Sequence, residues 1–169
     1  MADMREILID KVTVNIGAGS PGDKLENSRN LLENLTGKRS VLTTAKSRNP
    51  VFKLRVGLEI GTKVTLRGTD AISFVEKALI AKRKKLNAKN FDRNGNFAFG
   101  VPEYIDFPGA KYDPRIGMLG FDVCVTLKRH GKRIETRRLL KTRIGKKHRI
   151  TKTEAMDFAK NKLGAKIEE

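Results

Sequence analysis

Apolar and polar side chains alternate along three stretches of this chain, residues 7–17, 60–68 and 121–128. Successive side chains of a β-strand point to opposite faces of a sheet, so a period of two is typical of a strand that buries one face. The apolar positions are Val12, Val14, Ile16, Val64, Leu66, Phe121, Val123, Val125 and Leu127. Shorter strands are predicted over about 39–45 and 103–107, and the Asn-Gly pair at 94–95 predicts a hairpin or tight loop.

Two stretches with helical periodicity lie between these strands. The first has Ser20 as its predicted cap, Pro21 in its first position and Gly37 just beyond its end. Its inner stripe consists of Leu25, Ser28, Leu31, Leu32 and Leu35. Thr69 is predicted to cap the second helix from the residue before it. Its core-facing positions are Ile72, Val75, Leu79 and Leu86.

The order of the elements is typical of an α+β fold. Near the end of the chain, Thr151 and Glu154 form a capping box for a last helix, whose apolar side carries Ala155, Phe158 and Ala159. We predict one domain over residues 1–169, with an antiparallel or mixed sheet and helices packed on one face. The other face would expose Lys11, Thr13, Asn15, Lys63, Thr65 and Arg67. That face suits RNA, although an ordinary solvated sheet face explains the same pattern.

Positive charge is concentrated in two segments. The chain carries a net charge of +17, and residues 36–67 hold eight Lys or Arg against one acid, while residues 128–152 hold twelve against one. A surface that must only be soluble intersperses its signs, so these segments predict a polyanionic partner: nucleic acid, or an anionic membrane surface. No apolar run approaches the ~20 residues of a membrane span. A single Cys124 excludes an internal disulfide, and the cytosol is the expected compartment.

Residues 46–59 form a basic connection that is much longer than a hairpin between neighbouring strands requires. Its cations are Lys46, Arg48, Lys53 and Arg55, which favour contact with phosphate. Its apolar side chains are Val51, Phe52, Leu54 and Val56, which argue against simple disorder. They would pack the loop onto itself or onto RNA sugars. We expect the loop to be functional, and to be mobile when no partner is bound.

An enzymatic interpretation rests on GAGSPG at residues 17–22, which has the glycine spacing of a dinucleotide-binding turn. No acid that could bind a ribose lies between Glu33 and Glu59, although Lys46 and Arg48 would suit the 2′-phosphate of NADP. A flexible strand-to-helix turn explains the glycines more simply. His130 and His148 lack metal-ligand spacing, and Cys124 on a strand is interpreted as a small buried or half-buried residue. We therefore predict no catalysis, no metal and no cofactor.

Several collinear blocks resemble the large-subunit ribosomal protein L-five family, which is called L-eleven in eukaryotic cytosolic ribosomes. They are VTVNIGAG (12–19), TGKRSVLTTAKS (36–47), IGTKVTLRG (60–68), FDRNGNFAFGVPEYIDF (91–107), KYDPRIGMLGFDV (111–123) and IGKKHRITKTEAM (144–156). The last two are typical of the archaeal and eukaryotic branch, and the resemblance covers almost the whole chain. It implies an α+β fold whose open sheet face binds 5S rRNA in the central protuberance.

The resemblance also implies roles for particular residues. The RNA-contacting positions of the family correspond to Asn15, Thr65, Arg67 and Lys38. At the position of Lys38, many relatives have glutamine instead. The family's long loop reaches the P-site tRNA, and its members contact a small-subunit head protein in an intersubunit bridge. The loop residues expected at the tRNA are Lys46, Ser47, Arg48, Asn49, Phe52, Lys53 and Arg55. Further contacts with large-subunit rRNA are expected from Arg137, Arg138, Lys141, Arg143, Lys146, Lys147, His148 and Arg149. A regulator that binds another RNA off the ribosome is the alternative.

Overall fold

The computed structural model describes residues 4–168. Its strands are β1 (Ile7–Gly17), β2 (Val41–Thr44), β3 (Glu59–Leu66), β4 (Lys85–Asn87), β5 (Phe97–Val101), β6 (Phe121–Arg129) and β7 (Lys166–Glu168). Its α-helices are α1 (Asp23–Thr36), α2 (Thr69–Ala81), α3 (Arg133–Thr136) and α4 (Lys152–Leu163). Five strands form an antiparallel sheet in the order β2-β3-β1-β6-β5, and β4 pairs with β7 in a separate parallel ladder. The predicted α+β class with an antiparallel sheet is confirmed.

The core lies on the side of the sheet that α1 and α2 cover. Every apolar position predicted from the alternation in β1, β3 and β6 is buried. From the helix side, α1 buries Leu25, Ser28, Leu31 and Leu32 as predicted. Phe74 of α2 packs against Phe107 with tilted rings whose centroids are 5.0 Å apart, and the edge of Phe107 meets Phe121 of β6 at 5.9 Å. Aromatic and aliphatic packing therefore fastens α2 to the middle of the sheet.

Both predicted helix starts are wrong. Helix α1 begins only at Asp23, and Gly22, with φ of 126°, precedes it without a side-chain cap, so Ser20 and Pro21 lie outside the helix. Thr69 is the first residue of helix α2 rather than its cap, and Gly68 occupies the cap position. In each case a glycine with positive φ makes the turn into the helix, which no β-carbon-bearing residue would do easily. The predicted end of α1 at Gly37, with φ of 64°, is confirmed.

Two core positions predicted for α2 also need correction. Ile72 is exposed, because Ala71, Phe74, Val75 and Ala78 form the buried stripe instead. Leu86 is buried, but it belongs to β4, since α2 ends at Ala81. The intervening turn places Arg83 and Lys84 at φ of 55° and 56°, which reverses the chain direction.

The strand predicted over 103–107 is wrong. Residues Tyr104–Asp106 form a 3₁₀ turn, and the edge strand is β5 instead. Tyr104 is fully buried, its backbone N–H donates to the Leu119 carbonyl, and its hydroxyl accepts from the Asp113 N–H. Tertiary contacts of one tyrosine thus override the strand preference of an aromatic segment.

Two local motifs are confirmed. The Asn94–Gly95 turn is a tight loop in which Gly95 N–H donates to the Asp92 carbonyl at 3.1 Å. The capping box of α4 has both its bonds: Thr151 N–H donates to Glu154 Oε2 at 2.9 Å, and Glu154 N–H to Thr151 Oγ1 at 3.4 Å. Within residues 4–168, no helix is both long and apolar enough to cross a membrane.

Candidate nucleic-acid interface

The face of the sheet opposite α1 and α2 carries the polar residues that the alternation predicted. Lys63, Thr65 and Arg67 are exposed, and the polar side chains of β1 are half-buried. The antiparallel register sets Thr13 opposite Thr65, and it sets Asn15 opposite Lys63. Directly opposite residues have β-carbons about 4.5–5.5 Å apart, so these side chains share one surface. We call this surface the open face; its members are Lys11, Thr13, Asn15, Lys63, Thr65, Arg67, Asp122, Cys124, Thr126 and Lys128.

Cys124 lies on the open face and is exposed, contrary to the expectation that it would be buried or half-buried. It stands opposite Thr13 in β1 and Ala98 in β5, one residue out of phase with the buried positions of β6. Partial desolvation, and then the charge of Asp122, raise the pKa of its thiol. The thiol is therefore protonated at neutral pH and is a poor nucleophile.

Asp10 was not singled out from the sequence, yet it organises one end of the open face. Its carboxylate lies 3.0 Å from Lys128 Nζ, 3.4 Å from Lys132 Nζ and 3.7 Å from Arg67 Nη1. Its side chain is only 17 % exposed. Burial by itself raises the pKa of this carboxyl, but the hydrogen bond from Lys128 and the charges of Lys132 and Lys128 outweigh it, so the net pKa lies below the ordinary value. Asp10 is therefore ionised at neutral pH.

A β-bulge in β1 explains why the sequence pattern missed Asp10. Strict alternation gives Asp10 the same parity as Val12 and Val14, which face the core. The register shifts between Ile9 and Lys11, because Ile9 pairs with Leu127 whereas Lys11 pairs with Thr126. The extra residue changes the facing of the strand locally. The carboxylate of Asp10 consequently contacts cations of the open face.

Lys38 is not brought among the strand residues of the open face. It follows Gly37 at the end of α1, and its Nζ lies 3.1 Å from Asp70 Oδ2 in the first turn of α2. Both side chains are more than half exposed, so this ion pair contributes little to stability. The expected RNA contact of Lys38 stays a prediction.

The loop predicted over residues 46–59 forms a narrow extension of the β2–β3 hairpin. At its base, Ala45 N–H donates to the Leu58 carbonyl at 2.8 Å. Near its tip, Asn49 and Leu54 exchange two backbone hydrogen bonds of 3.1 and 2.9 Å. The side chain of Asn49 accepts from Val51 N–H at 3.1 Å, so this residue shapes the turn. Basic side chains project from the hairpin: Lys46, Arg48, Lys53 and Arg55 are all exposed.

The apolar residues at the tip do not pack the loop onto itself. Val51 is 84 % exposed and Phe52 is 70 % exposed, and Val56 is exposed as well. Only Leu54 is half-buried. An exposed phenylalanine beside cations is a typical surface for stacking on an unpaired base or covering a sugar. Of the two packing alternatives, the structure excludes self-packing for these three residues.

The basic segment 128–152 leaves the sheet at the end of β6, forms α3 and then follows an irregular path to α4. The candidate cations between Arg137 and Arg149 are exposed, which agrees with a role on phosphate. Arg137 Nε donates to the Leu140 carbonyl at 2.9 Å and tightens the turn that exposes Leu139 and Leu140. His148 is different: its Nε2 lies 2.9 Å from the His130 carbonyl. Because a carbonyl only accepts, this nitrogen carries the proton.

A cleft lies between this segment and the end of β6. Its walls include Lys128, Lys132, His148, Arg149 and Ile150. Lys132 contacts Asp10 of β1, which fastens the segment beside the open face. The contact between His148 and the His130 carbonyl joins two parts of the segment itself. The strand surface and the start of the basic segment therefore lie side by side.

The glycine-rich turn at residues 17–22 does not provide a dinucleotide site. Ala18 and Gly19 N–H both donate to the Ile60 carbonyl at 2.9 Å, so neither is available to a pyrophosphate. The flanking strand β1 has only antiparallel neighbours, whereas the dinucleotide fold needs a parallel βαβ unit. Among residues 4–168, no three His, Cys, Asp or Glu side chains are grouped so that they could hold a metal.

Comparisons with known proteins agree with this geometry. The family model "Ribosomal protein L5" matches residues 3–55, and the model for the C-terminus of the same ribosomal protein family matches residues 59–158. Strands from both matched regions share the five-stranded sheet.

Relatives named large ribosomal subunit protein uL5 match nearly end to end. Those of Methanococcus vannielii, Picrophilus torridus and Nanoarchaeum equitans are each 47 % identical to this chain and cover 97 % of it. The matches include 92, 94 and 97 % of the respective relatives. Their organisms are archaea, as the sequence resemblance implied, and their name is that of a structural protein of the ribosome and not of an enzyme. This chain therefore belongs to the ribosomal protein L5 family.

Proposed function

We propose that this protein is a structural component of the large ribosomal subunit that binds 5S rRNA through its open face and helps to attach it in the central protuberance. The observation that carries the proposal is that Asn15, Thr65 and, one residue beyond β3, Arg67 line the same sheet surface, opposite the side that α1 and α2 cover. Family membership supports ribosomal RNA as the partner of that surface, and 5S rRNA is the one proposed.

The side chains of the open face suit folded RNA with unpaired bases. Asn15 offers amide donors and an acceptor for a base edge or a 2′-hydroxyl. Thr65 can bond a sugar or phosphate, and the exposed guanidinium of Arg67 can grip a phosphate with two N–H groups or stack on a base. The surface has no aromatic side chain, so stacking on a sheet platform is not its mode of binding.

The hairpin 46–59 is proposed to contact the P-site tRNA, and the protein is proposed to join an intersubunit bridge with a small-subunit head protein. The hairpin projects from the edge half of the sheet, and its exposed cations and Phe52 are available to a second RNA. The segment 128–152 is proposed to follow phosphates of neighbouring large-subunit rRNA. The ribosome is the corresponding location in the cell.

Replacing Arg67 tests the assignment of the open face. Arg67→Ala should weaken 5S rRNA binding by about 1–3 kcal/mol, the scale of a specific arginine contact. The matched control is Lys77→Ala, because Lys77 is exposed on α2, on the covered side of the sheet. Titration of labelled 5S rRNA at fixed salt measures both variants. Equal affinity of Arg67→Ala and Lys77→Ala would remove Arg67 from the interface, and a chain absent from washed large subunits would remove the ribosomal assignment.

A further inference from the structure

We propose that Asp10 is a specificity-determining residue, which acts as an internal counterion for the cations of the open face. Resting on the RNA-binding function proposed above, this inference assigns a role to an acidic residue at a surface whose proposed RNA contacts are cations and neutral polar side chains. The carboxylate occupies the place that a phosphate would take among Arg67, Lys128 and Lys132. While it stays there, Lys128 and Lys132 are unavailable to phosphate, so only an RNA that satisfies the neighbouring contacts of the open face binds well.

The arrangement around Asp10 is that of an anion site. Three cations from three separate places in the chain, β6, the residue after β3 and the turn before α3, lie within 3.7 Å of one carboxylate. A carboxylate and a phosphate present similar acceptor oxygens to ammonium and guanidinium groups. Both oxygens of Asp10 are engaged, Oδ1 by Arg67 and Lys128, and Oδ2 by Lys132. The chain therefore supplies its own anion where its cations converge.

The three cations are not held equally. Lys128 and Lys132 lie 3.0 and 3.4 Å from the carboxylate oxygens, and their side chains are 37 and 27 % exposed. Arg67 lies farther away, at 3.7 Å, and is 63 % exposed, so most of its N–H groups face solvent. Arg67 is therefore free to engage RNA while the two lysines stay neutralised by Asp10.

This difference favours the correct RNA over others. An unrelated RNA binds mainly through phosphates and gains affinity from every free cation. Asp10 neutralises two lysines that would otherwise attract any phosphate, and its own charge repels phosphate at short range. Both effects disfavour the wrong partner. The correct RNA recovers the loss because Asn15, Thr65 and Arg67 contact it at defined positions. The net effect is a higher ratio of specific to general affinity.

The test compares Asp10→Asn with wild type on 5S rRNA and on an unrelated structured RNA of the same length. Asn keeps the size of the side chain and removes its charge. We expect affinity for the unrelated RNA to rise several-fold, and its dependence on log salt to steepen by about 1–2 units as two lysines become available. The ratio of 5S to unrelated affinity should fall. An unchanged or weaker affinity for the unrelated RNA, with an unchanged salt slope, would overturn the proposal.

Matched variants separate the counterion role from other effects. Glu76→Gln removes one negative charge from the exposed side of α2 and should leave the ratio near that of wild type, because Glu76 touches none of these cations. Asp10→Glu keeps the charge and should restore most of the ratio. A ratio that falls as much in Glu76→Gln as in Asp10→Asn would reduce the effect to net charge and contradict the proposal.

A second comparison works even if Asp10→Asn does not fold. Lys132 is neutralised by Asp10, whereas its neighbour Arg133 is exposed in α3. Lys132→Gln should therefore weaken binding of unrelated RNA less than Arg133→Gln does, and the reverse order would count against the proposal. The wild-type measurement distinguishes the two levels of inference. If wild type does not prefer 5S rRNA, the proposed function fails; if it does and the variants behave alike, only the role of Asp10 fails.

Discussion

Glu154 connects the C-terminal helix to the central sheet, and its replacement tests how strongly the two are coupled. Its Oε1 lies 2.7 Å from Nη2 of Arg129, which ends β6 and is only 8 % exposed. Its Oε2 accepts from Thr151 N–H in the capping box of α4. Arg129 Nε has no hydrogen-bond partner within the described part of the chain. Glu154 is therefore the main partner that stabilises the buried charge of the Arg129 guanidinium. Glu154→Gln keeps a residue that can serve the capping box and removes only the charge.

The expected loss follows from the burial of the two partners. Removing one partner of a fully buried ion pair costs about 3–5 kcal/mol. Glu154 is 41 % exposed, so water screens the pair, and we expect Glu154→Gln to lower the free energy of unfolding by about 1–2 kcal/mol. Glu154→Ala also removes the capping bond and should cost about 0.5–1 kcal/mol more. Thr151→Ala is the control, because it weakens the box and leaves the ion pair in place.

Urea unfolding followed by circular dichroism measures these differences, since the midpoint shifts with stability when the slope stays constant. If Glu154→Gln unfolds within about 0.3 kcal/mol of wild type, the pair is too solvated to matter, and the coupling between α4 and β6 must come from apolar packing alone.

The same pair predicts a dependence on pH. The backbone hydrogen bond from Thr151 lowers the pKa of Glu154, burial opposes this, and Arg129 lowers the pKa further, so its net pKa lies below the ordinary 4.5. A carboxyl with a lowered folded-state pKa stabilises the fold above its unfolded pKa and loses that effect as pH falls through the folded value. The difference between wild type and Glu154→Gln should therefore be full at pH 7 and shrink below about pH 4.5. A constant difference across this range would contradict the assignment.

Two further changes probe the packing under α4 and the hairpin. Gly95 has a φ of 77°, and an added Cβ would lie 2.5 Å from Ile150 Cγ2. Gly95→Ala should therefore lower the free energy of unfolding in urea by about 2–4 kcal/mol, because alanine strains the left-handed backbone and overpacks the site. Gly117→Ala, with φ of 71° and open space, is the control and should lose only about 1–2 kcal/mol; equal losses would argue against the clash. Arg48→Ala combined with Lys53→Ala should leave 5S rRNA affinity within about twofold and weaken tRNA binding to the P site several-fold, since exposed cations act on phosphate. A collapse of 5S binding would contradict the separate roles of hairpin and open face.

Much of the open face could be predicted from the sequence because β-strand geometry is local. Alternation alone placed Asn15, Thr65 and Arg67 on one face. The antiparallel register confirms this for Asn15 and Thr65, and Arg67, one residue beyond β3, contacts Asp10 on the same face. The capping box of α4 could also be predicted from the sequence, because Thr151 and Glu154 lie within one helical turn of each other. The starts of α1 and α2 were not predicted correctly, because glycines with positive φ replaced the side-chain caps that residue preferences favoured.

Hydrophobic alternation, helical periodicity and charge clustering thus determined by themselves the strands β1, β3 and β6, the helices α1, α2 and α4, the polar face and the basic segments of this protein. Only the tertiary structure decided which residues tune that face. Asp10 carries the parity of a core residue, and a one-residue bulge turns it toward Arg67, Lys128 and Lys132. A bulge depends on how two strands distant in sequence fit together, and ion pairs among such strands depend on that fit. Local sequence patterns predict neither the bulge nor these ion pairs, because the patterns depend only on neighbours along the chain and not on neighbours across the sheet.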